Sequence, residues 1–133
     1  MKVLLVDDNP IELEIIREIL ENTREDIELS NNLGSITEFS PDLIILDLYM
    51  PNKSGYDICL SLKSNPTMCD IPIVILSGSN SIEDKVKCFN AGALDYIEKP
   101  ITREILIKTI IKYARIGRIY KAGAKITLMN KTT

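Results

Sequence analysis

The sequence predicts an α/β fold in which helices cover both faces of a five-stranded parallel sheet. Short apolar runs alternate with helical patterns along almost the whole chain, which is typical of successive β-α-β units. Four of these runs end in charged or polar residues, as expected where parallel strands open onto a binding site. The length of 133 residues suits one ordinary domain with one core.

The first half of the chain contains the first two expected strands and leads into the third. Strand one is predicted at about residues 2–6, and a helix follows because Asn9 can cap it and Pro10 suits its first turn. The apolar side of this helix is predicted from helical spacing: Ile11, Ile15, Ile16, Ile19 and Leu20. A short strand two is expected at about residues 27–29, with a brief helix around residues 33–39.

The second half continues the alternation. Strand three is expected to run into Asp47, strand four to begin after Pro72, and strand five to cover about residues 95–98. Ser81 is the predicted cap of the helix between the last two strands, and Gly92 is its predicted end. The apolar side of the helix after strand three is predicted to contain Tyr56, Cys59, Leu60 and Leu62. The apolar residues of the last helix are predicted to be Ile105, Leu106, Ile107, Ile110 and Ile111.

The domain is predicted to span residues 1–113, and residues 114–133 are predicted to be a helix extension, a linker or a tail. Gly117 and Gly123 weaken the case for a continuous helix there. If the helix does continue, basic residues form a stripe along it: Lys112, Arg115, Arg118, Lys121 and Lys125. The stripe is interpreted either as a solvated helix face or as a docking surface or linker to an output domain.

Composition excludes several classes of function. The net charge of −3 does not favour nucleic-acid binding by the domain body, and no apolar run approaches a membrane span. The chain passes directly from Met1-Lys2 into a strand without a signal peptide, so a cytoplasmic location is expected. The chain has no His, which excludes a His base, a His metal ligand and a phosphohistidine on it. The three cysteines show no C-x-x-C spacing and are interpreted as reduced, with Cys59 and Cys88 packing inside helices.

Three carboxylates are expected to meet at one edge of the sheet. In the flavodoxin-like strand order 2-1-3-4-5, strands one and three are neighbours, which brings Asp7 and Asp8 close to Asp47. Carboxylates this close repel each other, and a divalent cation relieves the repulsion. All-oxygen ligands favour Mg²⁺, or Mn²⁺, so the sequence predicts a site for such an ion.

Asp47 is also the best candidate for a nucleophile. A carboxylate can attack phosphorus and form an acyl phosphate. Ser77 and Lys99 end the strands on the other side of Asp47 in the predicted order. Lys99 offers a positive charge and Ser77 a hydroxyl for phosphoryl oxygens, so a phosphoryl-transfer site is predicted.

The motifs together resemble the receiver domain of two-component response regulators, over about residues 2–113. The resemblance rests on four motifs in order: Val6-Asp7-Asp8-Asn9-Pro10, Asp47-Leu48-Tyr49-Met50-Pro51 followed by Gly55, Leu76-Ser77-Gly78, and Ala91-Gly92-Ala93-Leu94-Asp95-Tyr96-Ile97-Glu98-Lys99-Pro100. It implies that Asp47 accepts a phosphoryl group from a partner histidine kinase or histidine phosphotransfer protein. It also implies the groups that arrange Mg²⁺: Asp7, Asp8, Asp47 and the backbone carbonyl of Tyr49.

The resemblance further implies a switch. Ser77 and Lys99 match the residues that hold the phosphoryl group, and Tyr96 matches the aromatic residue that changes rotamer on activation. The surface made by helix four, strand five and helix five would then control a partner or an output domain. Such a protein is not an enzyme beyond its own phosphorylation and dephosphorylation. Tyr49 is bulky at a position that tunes the phosphoryl lifetime, so slow self-dephosphorylation is predicted.

Two other classes of protein are considered beside this one. A phosphatase of the haloacid dehalogenase type needs a second Asp two residues after the nucleophile, where this chain has Tyr49. A flavodoxin-like cofactor binder needs a phosphate-binding loop after strand one, where Asp7 and Asp8 would repel phosphate. Within the receiver interpretation, a stand-alone protein and a part of a longer regulator or hybrid kinase both remain open. A phosphorylation-dependent homodimer through the Ile-rich last helix is a further hypothesis.

Overall fold

Five parallel strands form the sheet of the computed structural model, which describes the backbone of residues 1–131 and the side chains of residues 1–123. The strands are β1 (Lys2–Val6), β2 (Glu28–Ser30), β3 (Leu43–Asp47), β4 (Ile73–Ser77) and β5 (Asp95–Glu98). The helices are α1 (Pro10–Glu21), α2 (Ile36–Phe39) after a 3₁₀ turn (Leu33–Ser35), α3 (Gly55–Lys63), α4 (Ile82–Asn90) and α5 (Arg103–Lys131). The sheet order is β2-β1-β3-β4-β5, which confirms the predicted flavodoxin-like topology.

The strand register aligns the carboxyl ends of the central strands. Asp47 pairs with Leu76, and Ser77 pairs with Glu98. Because these pairs lie at the last residues of β3 and β4, the polar residues at the strand ends share one edge of the sheet. This edge carries the candidate site.

The core has one layer on each face of the sheet. Alternate residues of each strand point to opposite faces, so Ile44 belongs to one layer and Ile45 to the other. One layer packs against α3 and α4, and the other packs against α1 and α5. Strands β3 and β4 are buried along their whole length, which explains why their sequences are unbroken apolar runs before the final polar residue. Cys59 and Cys88 are buried and unbridged, as predicted.

Helix α1 buries a narrower apolar stripe than its sequence predicts. Ile16 and Leu20 are buried, but Ile11 is 71% exposed and Ile15 is 51% exposed. These two residues line a shallow groove of about 300 Å³, together with Pro100 from the segment after β5. Their predicted burial is therefore wrong.

The same difference appears in α3 and α5. Leu60 and Ile105 are exposed, although helical spacing placed both on an apolar side. In α3 the buried position next to Cys59 belongs to Ile58 instead. Each helix contacts the sheet along a single face, so residues at the flank of an apolar stripe remain in solvent.

Helix α5 continues across residue 113, the predicted end of the domain. At Gly117 this helix packs closely against Asp42, the residue before β3. A Cβ at Gly117 would overlap the carbonyl oxygen of Asp42. The Asp42 carboxylate, buried at the same place, lies 2.8 Å from Lys121 and 3.8 Å from Arg118. Two members of the basic stripe thus form ion pairs with the domain.

The backbone N–H of Lys2 donates a further 2.8 Å hydrogen bond to the Asp42 carboxylate. The side chain of Lys125 lies outside the described residues.

Within the described part of the chain, no helix is both long enough and apolar enough to cross a membrane.

Candidate functional site

The carboxyl edge of the sheet brings Asp47 and Lys99 into contact. Asp47 is the last residue of β3, and Lys99 follows β5 across the intervening β4. The Lys99 ammonium lies 3.1 Å from Oδ1 of Asp47. The backbone N–H of Lys99 donates a 2.7 Å hydrogen bond to the carbonyl of Ser77, which fixes the start of the loop that carries the lysine. The Lys99–Pro100 peptide bond is cis.

Asp47 is buried, and its surroundings act on its ionisation in opposite directions. The pKa of Asp47 is raised to about 6, and burial is the largest cause. The hydrogen bond and charge of Lys99 lower that pKa, whereas the charges of Asp7 and Glu12 raise it. Lys99 therefore favours the ionised form of this carboxylate, whereas burial and the two neighbouring acids oppose it.

A second carboxylate, Asp7, lies almost completely buried beside Asp47. Its Oδ1 accepts a 2.9 Å hydrogen bond from the backbone N–H of Asn9. Its Oδ2 is buried and has no hydrogen-bond partner among the described residues. A buried oxygen without a partner is costly unless a ligand completes it, so Asp7 fits a site for a cation.

Glu12 completes a compact acidic cluster with Asp7 and Asp47. Carboxylate oxygens of the three residues lie within 4.8 Å of one another. An all-oxygen donor set of this kind fits a hard divalent cation such as Mg²⁺ or Mn²⁺. Asp8, which the resemblance includes among the metal ligands, has an exposed side chain and lies outside this compact cluster.

Sequence reasoning placed Glu12 on the outer face of α1 and missed its part in the site. In the structure its Oε2 lies 2.9 Å from the Lys99 ammonium. Burial raises the pKa of Glu12, while its hydrogen bond to Lys99 lowers it. The available signal was position: Asn9 caps α1, so Glu12 lies in the first turn, at the helix end nearest the site.

Lys99 is held between two acids. Burial lowers the pKa of Lys99, but hydrogen bonds to Glu12 and Asp47 outweigh burial and raise it above the ordinary value. The ammonium is therefore charged across the physiological range and supplies positive charge at the centre of the site.

Ser77 and Gly78 form the wall of the site next to β4. Ser77 is 1% exposed, and its hydroxyl oxygen accepts a 3.1 Å hydrogen bond from the backbone N–H of Ser79. A Cβ at Gly78 would meet no other atom within 4 Å, so this wall is open. Gly55 on the opposite side is required for a different reason, because a Cβ there would overlap the Asp47 carbonyl.

Hydrogen bonds join Tyr96 to the loop after β4 and Tyr49 to the first turn of α4. The buried Tyr96 donates from its hydroxyl to the carbonyl of Ser79 at 2.8 Å. Tyr49 donates to Oδ2 of Asp84 at 2.6 Å, and the Ser79 hydroxyl donates to the same oxygen at 2.7 Å. The hydrogen bond to Asp84 raises the pKa of Tyr49 to about 12.

The fold and site together define a class of protein: a doubly wound α/β domain with a buried carboxylate, a lysine and a compact acidic cluster at one sheet edge. The chain belongs to the response regulator receiver domain family, whose family model matches residues 3–111. It is a receiver domain of two-component signalling, and receiver domains are signalling domains rather than classical enzymes. The family resemblance predicted from the sequence is confirmed, and it replaces the phosphatase and cofactor-binder alternatives.

Known relatives agree with this membership. Response regulator MprA of Mycobacterium leprae is 34% identical over 114 residues, which cover 83% of this chain and 49% of MprA. The DNA-binding dual master transcriptional regulator RpaA of Synechocystis sp. is 29% identical over 135 residues, covering 98% of this chain and 56% of RpaA. The chain therefore spans about half the length of the curated relatives it matches.

A solved structure connects the family to metal binding. The Mn²⁺-bound form of response regulator Rcp1 superposes with a TM-score of 0.66 at 27% identity, covering 82% of this chain and 88% of Rcp1. Its metal belongs to Rcp1. In this chain, the acidic cluster of Asp7, Glu12 and Asp47 fits a metal site on its own geometry.

Proposed function

We propose that Asp47 accepts a phosphoryl group from a phosphohistidine on a partner histidine kinase or histidine phosphotransfer protein, with Mg²⁺ or Mn²⁺ present. The observation that carries this proposal is the buried Asp47 carboxylate held 3.1 Å from the Lys99 ammonium. The acidic cluster around it supports a divalent cation, which would offset the negative charge of the acids and of the phosphoryl oxygens. The groups that would hold the cation are Asp7, Asp8, Asp47 and the backbone carbonyl of Tyr49.

The transfer needs little covalent chemistry from the protein. An oxygen of Asp47 attacks phosphorus, and the bond between phosphorus and the histidine nitrogen breaks. The imidazole leaves with the electron pair of that bond, and the product is an aspartyl phosphate. Positioning and charge neutralisation dominate such a reaction. Lys99 neutralises charge on the phosphoryl oxygens, and the Ser77 hydroxyl donates a hydrogen bond to one of them.

The modified Asp47 would bias a conformational equilibrium. Ser77 turns towards the phosphoryl oxygens, which favours the buried position of Tyr96 behind it. In the structure Tyr96 already occupies a buried position, bonded to the carbonyl of Ser79. Phosphorylation would thus increase the population of an arrangement that the unmodified chain can reach.

The surface read by partners would be the one formed by α4, β5 and α5. Exposed apolar residues on and between these elements support an interaction there: Ile82, Val86, Phe89, Leu94 and Ile105. The recipient is a downstream protein, an output domain or a second copy of the chain. Since the chain spans only about half the length of the relatives it matches, an output domain beyond residues 1–113, joined through residues 114–133, is part of the proposal.

The net charge of −3 argues against direct nucleic-acid binding by the domain. We place its activity in the cytoplasm. A phosphorylation-dependent homodimer would be detected by light scattering, as an increase in mass after activation. Unchanged mass would count against the dimer but not against phosphoryl acceptance.

Intact mass spectrometry after incubation with acetyl phosphate, with and without Mg²⁺, tests phosphoryl acceptance. The expected result is one Mg²⁺-dependent phosphoryl adduct on the wild type and none on Asp47→Asn. Asp70→Asn is the matched control, because Asp70 is an exposed aspartate in the loop before β4, at the opposite edge of the sheet. No adduct on the wild type, or an adduct that persists in Asp47→Asn, would refute the proposal.

A further inference from the structure

Glu12 contacts the same ammonium that the proposed phosphoryl transfer requires. It lies 87 residues from Lys99 along the chain, and its Oε2 is 2.9 Å from the Lys99 ammonium. The two side chains are only 19% and 26% exposed. A charge-assisted hydrogen bond that is partly shielded from water is stronger than an exposed ion pair. The Lys99 ammonium thus lies as close to Glu12, at 2.9 Å, as to Asp47, at 3.1 Å.

Glu12 also changes the charge balance of the site. Among residues 1–123, Lys99 is the cation that forms ion pairs with the cluster of Asp7, Glu12 and Asp47. When Asp8 is included, one lysine and one divalent cation leave an excess of negative charge. Without Glu12, the same set would be neutral. An anionic phosphoryl donor therefore meets a more repulsive site because Glu12 is present.

We propose that Glu12 is a positioning residue that restrains phosphorylation, because its carboxylate competes with the incoming phosphoryl group for the Lys99 ammonium. The inference rests on the proposed function of Asp47. An ammonium group has three donors. Two are directed to Glu12 and Asp47 in the unmodified site, so only the third is available to the phosphoryl oxygens until Lys99 releases Glu12.

The same carboxylate has the opposite effect on the cation. Its oxygens lie within 4.8 Å of those of Asp7 and Asp47, close enough to attract a divalent ion bound there. Removing the charge of Glu12 should therefore weaken Mg²⁺ binding and, at saturating Mg²⁺, speed phosphoryl transfer. General damage to the site would weaken both, so the opposite signs identify the proposed role.

Three variants separate the charge of residue 12, its reach towards Lys99, and the effect of removing any carboxylate from α1. Glu12→Gln removes the charge and keeps the length of the side chain. Glu12→Asp keeps the charge and shortens the reach towards Lys99. Glu14→Gln is the matched control, because it removes one exposed carboxylate from the same helix. The initial rate of adduct formation with acetyl phosphate is measured by intact mass, and Mg²⁺ binding is measured by isothermal titration calorimetry.

Glu12→Gln is expected to form the adduct about three- to tenfold faster than the wild type. This is the change in rate expected when one negative charge is removed from beside the Lys99 ammonium. Its Mg²⁺ affinity should fall. Glu12→Asp should show an intermediate rate with nearly unchanged Mg²⁺ affinity, and Glu14→Gln should match the wild type in both. If Glu12→Gln fails to fold in a thermal melt, Glu12→Asp against the wild type still tests the contact with Lys99, and an unchanged rate of adduct formation would overturn the inference.

Other results would overturn the inference. If the wild type forms the adduct and Glu12→Gln reacts at the same rate or more slowly, Glu12 does not restrain the reaction. If Glu14→Gln accelerates the reaction equally, the effect belongs to net charge and not to the contact with Lys99. If the wild type forms no adduct at all, the proposed function fails first and this inference fails with it.

Discussion

The Tyr49 hydroxyl donates a 2.6 Å hydrogen bond to Asp84, and this contact joins the loop after β3 to the first turn of α4. The same carboxylate oxygen accepts a hydrogen bond from the Ser79 hydroxyl. Since the Ser79 carbonyl accepts from Tyr96, a chain of hydrogen bonds connects the loop beside Asp47 to the proposed switch residue. Hydrogen-bonded networks of this kind fix the relative positions of the elements they join.

Tyr49 is expected to prolong the life of the aspartyl phosphate. Tyr49 lies in the loop that follows Asp47, and its ring, held by the bond to Asp84, would hinder the approach of water. Tyr49→Ala should lose the phosphoryl group several-fold faster than the wild type, and Tyr49→Phe, which keeps the ring, should fall between them. The decay of the adduct by intact mass after removal of the donor measures this. Tyr120→Ala, which removes another exposed tyrosine far from the site, is the control. A wild-type half-life of seconds would contradict the prediction.

Tyr96→Phe should separate phosphoryl acceptance from the conformational response. The substitution removes only the hydroxyl that bonds the Ser79 carbonyl, so adduct formation should proceed at the wild-type rate. The change in hydrogen–deuterium exchange that phosphorylation produces in α4 and β5 should shrink. Tyr113→Phe is the matched control, since it also removes one buried tyrosine hydrogen bond, to Asp95 at 2.7 Å. An undiminished exchange response in Tyr96→Phe would show that this hydroxyl has no part in the switch.

Gly117 and Gly123 should respond oppositely to alanine. A methyl group at Gly117 overlaps the Asp42 carbonyl, so Gly117→Ala is expected to lower the free energy of unfolding by about 2 kcal/mol or more. A Cβ at Gly123 meets nothing within 4 Å, so Gly123→Ala should be neutral or stabilising by up to about 1 kcal/mol through helix propensity. Urea unfolding measures both changes. Equal effects would show that α5 does not pack against β3 at Gly117.

Asp42 should make stability depend on pH. Burial raises its pKa, but hydrogen bonds from Lys121 and Lys2 outweigh burial and lower the pKa below the ordinary value. Because the folded-state pKa lies below the unfolded pKa near 3.8, the ionised Asp42 stabilises the protein fully at pH values above the unfolded pKa. This stabilisation is lost as the pH falls through the folded-state pKa. Asp42→Asn should therefore cost about 1–3 kcal/mol at neutral pH.

The matched measurement compares Asp42→Asn with Asp70→Asn by urea unfolding at neutral and acid pH. The difference between wild type and Asp42→Asn should shrink below about pH 4, where the carboxylate gains a proton. The exposed Asp70 should show little effect at either pH. A difference that is independent of pH would indicate that packing, rather than charge, gives Asp42 its role.

Much of the fold could be predicted because strands and helices have different periods. The unbroken apolar runs of β3 and β4 show that both of their faces are buried, and Asn9, Ser81 and Gly92 mark helix ends through local chemistry. These signals depend on neighbours in sequence. The burial of Ile11 and Ile15 could not be predicted in the same way, because it depends on how far α1 overlaps the sheet.

The course of α5 shows the same limit. Gly117 predicts a weak helix when propensity alone is considered, but the structure uses the missing side chain for close contact with Asp42. Likewise, Arg118 and Lys121 repeat at helical spacing whether or not an acid lies opposite. Only the packed chain provides Asp42 as their partner.

Asp47, Ser77 and Lys99 could be predicted as one site because each lies at the carboxyl end of a strand, and parallel strands end at a common edge. This consequence of chain direction needs no knowledge of side-chain contacts. Glu12 lies on a helix whose rotation about its own axis depends on packing, and sequence spacing placed it among the solvent-facing acids. Its contact with Lys99, across 87 residues, arises only when α1 and the loop after β5 pack together. Strand direction is encoded locally, whereas the orientation of a helix on its sheet is set by the sum of its contacts.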